Sequence, residues 1–253
     1  MPARVLRPAL LGLIALLASG CAIPIIGAPA RPQDLQPEAG PRAARGRGGK
    51  PGLTLGAATP RLPRSANACY RALRDRGVAF RPVPPGRARG VKMPTRLTGP
   101  IEGVEVRARG RRRVHAILDC RLALALHAWA PTLRAAGVTR LEHYSMYRPG
   151  ARIGGSGKVS GHARGLAIDA ARLYLQDGAV IDVLEDWEDR SRGASPCPRR
   201  PDEGRPSRIL RSVVCDAVDR RLFQVVLTPH HDRAHENHVH LELKPEVSWT
   251  YVR

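Results

Sequence analysis

The amino-acid sequence predicts an α+β fold, with helices packed on one face of a largely antiparallel sheet. Three observations carry that expectation. Helical patterns come early, in "SANACYRALRDRG" and "LDCRLALALHAWAPTLRAAG". Short strand patterns dominate the later half of the chain. Asp177-Gly178, set between two such strands, is a hairpin turn signal.

Taken in order, the elements begin with a leader. Arg4 and Arg7 form a basic start, an apolar run extends from Ala9 to Ala18, and small residues lead into Cys21. That is the shape of a secretory signal peptide over residues 1–21, too short for an ordinary transmembrane helix. "LASGC" is similar to the lipobox of bacterial lipoproteins, so the expectation is an acylated Cys21 anchoring the chain to a membrane, with simple cleavage as the alternative. Residues 22–66 are Pro-rich and Arg-rich without an aromatic residue, a composition that cannot bury a core and reads as a disordered tether. The folded domain is placed at 67–253.

Within that domain, Ser65 is set to cap the first helix and Gly77 to stop it. "GVEVRA" alternates as a strand. The long helix has Asp119 near its start and Gly137 at its end, and Pro131 inside it predicts a kink or break near Ala130. "VTRLEHYSMY" reads as a strand and "RPGARIGGSGKVSG" as a Gly-rich loop. "LAIDAARLYL" and "VIDVLEDW" form the predicted hairpin. A polar insertion, "EDRSRGASPCPRRPDEGRPS", precedes the helix "RILRSVVCDAVDRRL". "FQVVLTP" and "HVHLEL" are strands flanking the loop "HHDRAHEN". The acidic cluster at Glu185, Asp186, Glu188 and Asp189 lacks the spacing of a calcium loop and reads as a solvated face.

Beyond Cys21, four cysteines remain, an even number that suits disulfides in an oxidising compartment. Three pairings are possible. The expected one joins Cys197 to Cys215, closing the insertion onto the following helix, and Cys69 to Cys120, linking the two early helices. No CxxC occurs, so a cysteine zinc site is not expected. The formal charge is +20, from 42 Lys and Arg against 22 Asp and Glu. Such a balance suits an anionic polymer or surface. Nucleic acid is set aside as a partner, because the chain lacks an aromatic platform or recognition-helix pattern and export argues against it.

Chemistry concentrates in two stretches. "SGHARGLAIDAA" places Ser160, His162, Gly165, Ala167 and Asp169 in an S-x-H-x-x-G-x-A-x-D pattern, and "HENHVHLEL" supplies His235, His238 and His240. His238 and His240 share a strand face. If the two strands are neighbours, His162, Asp169 and His240 converge. Two imidazoles and one carboxylate, with the fourth position open, make a catalytic zinc site. The small Gly165 and Ala167 would let loop and metal approach the backbone.

These motifs resemble the extensin-like C-terminal family of bacteria over residues 67–245. That family is similar to the zinc peptidases grouped around lysostaphin, the D-Ala-D-Ala metallopeptidases and hedgehog. The resemblance implies a single zinc-peptidase-like domain binding one zinc ion through His162, Asp169 and His240. By it His238 is a non-ligand catalytic histidine, and Arg148, in "SMYRPG", is a substrate-contacting residue. Lys158 is a second candidate for a substrate carboxylate. Asn237 stands where the carboxypeptidase branch has a catalytic Glu; the His235, His238, His240 spacing instead resembles the penicillin-insensitive murein endopeptidases. The implied activity is zinc-dependent cleavage of a peptide bond in peptidoglycan, in the stem or cross-link, by a protein of the periplasm or cell envelope. The alternative is a non-catalytic, zinc-containing wall-binding module, since relatives of the hedgehog type keep such a site without peptidase chemistry.

Overall fold

The computed structural model describes residues 53–54, 62–198 and 201–253. The leader, Cys21 and nearly all of the predicted tether lie outside the described residues. The elements run β1 (Leu53–Thr54), α1 (Ala66–Asp75), β2 (Phe80–Pro82), β3 (Pro94–Leu97), β4 (Glu105–Ala108), β5 (Leu118–Asp119), α2 (Cys120–Ala135) and β6 (Val138–His143). Next come β7 (Ala167–Leu175), β8 (Val180–Asp182), α3 (Val183–Asp186), α4 (Arg205–Asp219), β9 (Val225–Leu227), β10 (Val239–Glu242) and β11 (Thr250–Val252). The predicted α+β class is the one observed. No helix among the described residues is long and apolar enough to cross a membrane.

The main sheet has the order β1-β11-β9-β10-β7-β6-β4, with β8 also paired to β7. Its ladders are antiparallel except β9–β11 and β4–β6, which are parallel. A smaller sheet, β2-β3-β5, leads into α2. There the buried Asp119 caps α2 through the Arg121 N–H at 3.1 Å, and it also receives the Arg121 guanidinium and the Met93 N–H. Helix α2 packs on β6 and against α1 and α4. It buries Leu122, Leu126, Trp129 and Leu133, each such apolar side chain contributing about 1.5–3 kcal/mol relative to exposure. Trp129 donates to the Val213 carbonyl of α4 at 2.8 Å and meets Phe223 edge-on.

Both expected disulfides are present, Cys69–Cys120 and Cys197–Cys215. Two local expectations are corrected. Of the kink or break expected near Ala130, the break does not occur: α2 runs continuously from Cys120 to Ala135 with Pro131 inside it. The turns around the proline are clamped from outside. Trp129, Ala130 and Leu133 are buried, and Arg220 bonds the Ala128 carbonyl at 2.7 Å and the Thr132 hydroxyl at 3.1 Å. The second hairpin strand stops at Asp182. There the Asp182 side chain accepts from the Leu184 N–H, and Asp186 accepts from the Asp182 N–H. These short side-chain bonds start α3 in place of a longer ladder.

One irregularity decides which side chains face the site. In the β6–β7 ladder Glu142 pairs with Arg172, but His143 pairs with Ala170, so Ala171 is an extra residue in β7. Such a bulge reverses the alternation of faces. Ile168 and Ala170 before it, and Leu173 and Leu175 after it, all belong to the core. Asp169 is left on the opposite face. On β10, Val239 and Leu241 enter the same core, while His240 and Glu242 stand opposite Asp169 and Ala167.

Candidate metal centre

Local structure positions each residue of the first motif. The Ser160 side chain accepts the His162 N–H and caps a short 3-10 turn over Gly161–Arg164. Gly165 ends the turn in the left-handed region, at φ 62°. The reason for its small size differs from the one expected: an added Cβ would lie 2.8 Å from the Asp119 backbone nitrogen, so Gly165 serves packing on the start of α2. Its carbonyl accepts the Asp119 N–H at 2.8 Å. Two residues on, β7 begins and carries Asp169 into direct register with His240 of β10.

The predicted convergence is observed. Asp169 Oδ1 lies 2.9 Å from His162 Nε2 and 3.0 Å from His240 Nδ1, and those two nitrogens are 3.1 Å apart. His238, just before β10, brings its Nε2 to 3.4 Å from the same oxygen. The Arg148 Nη2 is 3.8 Å from Asp169 Oδ2, with its side chain 49% exposed. Arg148 is tied to the motif by its own N–H, which donates to the His162 carbonyl.

Outer partners fix which ring nitrogen carries a proton. His162 Nδ1 faces the Met146 carbonyl at 3.3 Å and must donate to it. His240 Nε2 faces the Glu242 carboxylate at 3.1 Å and donates likewise. His238 Nδ1 sits 2.8 Å from the Asn237 side-chain oxygen. The lone pairs of His162 Nε2, His240 Nδ1 and Asp169 Oδ1 are therefore aimed at one another. Unbridged, they repel; one proton or one cation between them removes the repulsion. With no cation between them, it is His240 that holds the proton. His240 is pushed up to about 9: burial works against its charge, but hydrogen bonds to Asp169 and Glu242 outweigh it. Burial alone would raise Asp169, but the neighbouring imidazoles of His162 and His240 hold it well below the usual carboxylate range. Burial lowers His162, and it lowers His238 to about 4.

One atom each from His162, Asp169 and His240 lies within 4.8 Å of the others, so this buried trio could hold a metal ion. A donor set of two imidazoles and a carboxylate fits three positions of a tetrahedral divalent ion. Sequence reasoning missed the partners behind the trio. Glu242 braces His240, and Lys244 in turn braces Glu242 at 2.7 Å; the spacing of two from His240 along a strand was the signal. Ser145 donates to Asp169 Oδ2 at 3.0 Å. Its place had no such signal, since it lies past the end of β6 in irregular backbone.

Fold and site together define an α+β domain that gathers three imidazoles around one buried carboxylate, on the sheet face away from the helical core. The chain belongs to the family described as extensin-like protein C-terminus, whose profile matches residues 67–253. No curated protein and no solved structure matches it.

Proposed function

We propose that this protein is a zinc-dependent peptidoglycan hydrolase cutting a peptide bond of the stem or cross-link, an endopeptidase rather than a carboxypeptidase. One observation carries the reading: His162 Nε2, His240 Nδ1 and Asp169 Oδ1 converge to within 3.1 Å of one another, a buried donor set that one divalent ion could share. The resemblance of the two motifs to those of the lysostaphin and D-Ala-D-Ala metallopeptidases supplies the reaction class. A zinc ion bound by these three residues provides Lewis acidity. The rest is done by the chain. Asn237 holds His238 Nδ1, which leaves Nε2 beside Asp169 free to take a proton from the attacking water. Burial disfavours charge on His238, so its ring is neutral at neutral pH. Arg148 stands half-exposed at the rim, placed to hold a carboxylate of the peptide.

The test is metal analysis of four purified variants beside muropeptide digestion. His162→Ala, Asp169→Ala and His240→Ala should each bind one zinc ion fewer than the wild type. His238→Ala should keep the metal and lose about 100- to 10,000-fold in rate. A zinc content equal to that of the wild type in all four would refute the metal reading. A non-catalytic wall-binding module is the second reading. It is favoured by the position of Glu242, whose carboxylate is committed to His240 and Lys244 and cannot replace the Glu that Asn237 displaces. Zinc-loaded protein that binds peptidoglycan without releasing any product would decide for that module.

A further inference from the structure

The loop between β9 and β10 carries a second cluster that the proposed chemistry does not use. His231, Asp232 and His235 each offer one donor atom, and the three atoms lie within 4.8 Å of one another. His235 Nδ1 is 2.6 Å from Asp232 Oδ1, and His231 Nε2 is 3.3 Å from Asp232 Oδ2. Capping explains part of this, because Asp232 Oδ1 accepts the His235 N–H at the start of a 3-10 turn over Arg233–His235. It does not explain His231, which approaches the other carboxylate oxygen, with its ring edge-on to that of His235 at 5.1 Å.

We propose that His231, Asp232 and His235 form a second divalent-cation site, an outer one, of the borderline class that imidazole and carboxylate donors select and of which Zn²⁺ is the simplest member. The donors are reachable from solvent, with side-chain exposures of 28%, 48% and 18%. The outer donors are partly exposed whereas the inner trio is buried, so this is expected to be the weaker of the two sites. The outer cluster also leads inward. The His235 ring is 5.1 Å from that of His238 and 6.0 Å from that of His240, and His240 is 4.9 Å from His162. A near-continuous run of imidazoles thus joins the surface cluster to the buried trio, a path along which a metal ion can be captured before it reaches the inner donors.

The experiment uses untagged full-length protein stripped with chelator, titrated with zinc and counted by elemental analysis after equilibrium dialysis. Wild type should bind about two ions per chain, and His231→Ala and Asp232→Asn about one each. The Asn variant keeps a capping oxygen for the His235 N–H, so its loss of an ion cannot be put down to an uncapped turn. Asp169→Ala should retain only the weaker ion. If both outer variants bind as wild type does, the outer site does not exist. If wild type binds a single ion that the outer variants abolish, the outer site stands and the buried metal reading fails; if only Asp169→Ala abolishes it, the reverse holds.

Discussion

Glu242 reaches the candidate centre only through His240, and its effect should be visible in metal affinity. Glu242→Gln replaces a charged acceptor for His240 Nε2 by a neutral one. Zinc affinity should fall by about 10–100-fold, the usual scale for a partner behind a ligating histidine, as read by competition with a chromophoric chelator. An unchanged affinity would remove Glu242 from the site. His143 sets a different expectation. It is fully buried, neither ring nitrogen has a hydrogen-bond partner among the described residues, and burial lowers it to about 3. Its folded value lies below the ordinary 6.5, so the unfolded chain takes up a proton first. The stability it allows is present above about 6.5 and is lost as the pH falls from there toward about 3. His143→Leu should flatten that limb of the stability profile in urea unfolding, and at about pH 7 should be neutral or stabilising, since no hydrogen bond is given up. His162 and His238 are lowered in the same sense, so the slope should shrink rather than vanish.

The turn that carries His162 is held by two glycines with different jobs. A Cβ on Gly161 would lie 2.5 Å from the Glu242 side-chain carbon, so Gly161→Ala should push the brace off His240 and weaken zinc binding while leaving the fold largely intact. Gly165→Ala instead meets backbone and a positive φ, and should destabilise the domain by roughly 1–3 kcal/mol in denaturant unfolding. An effect confined to zinc for Gly165→Ala would reverse these roles. Elements of this kind show how far the sequence could be read. Caps at Ser65 and Asp119, the Asp177-Gly178 turn and the pairing of the two motifs were legible, because each rests on short-range chemistry or on strand alternation. The Ala171 bulge was not legible: nothing in "IDAARL" distinguishes an extra residue from a continuing strand. The continuity of α2 through Pro131 was also hidden, since the contacts around it include Arg220, which lies 92 positions beyond the Ala128 carbonyl it bonds.

For the molecule as a whole, the charge of +20 predicts how it should sit on its proposed substrate. Sedimentation with purified peptidoglycan should fall steeply as salt rises toward about 1 M, where screening shrinks to about 3 Å. It should be the same for wild type and Asp169→Ala if attraction is a property of the surface and not of the centre. Loss of binding in Asp169→Ala at low salt would show that the centre itself holds the polymer. The register of β7 with β10 has a larger consequence. His162 and Asp169 come from one short segment, but His240 is separated from Asp169 by 71 positions and meets it only across that ladder. No short stretch of nascent or partly folded chain contains the complete set of donors. If the trio holds the proposed ion, its capture must wait for a slow kind of folding event, a long-range strand pairing, and the ion would in turn lock the pairing it required. A chain kept unfolded carries only two of the three donors together and, on the proposed reading, should arrive empty wherever it finally folds, taking any metal from that place and not from the one where it was made.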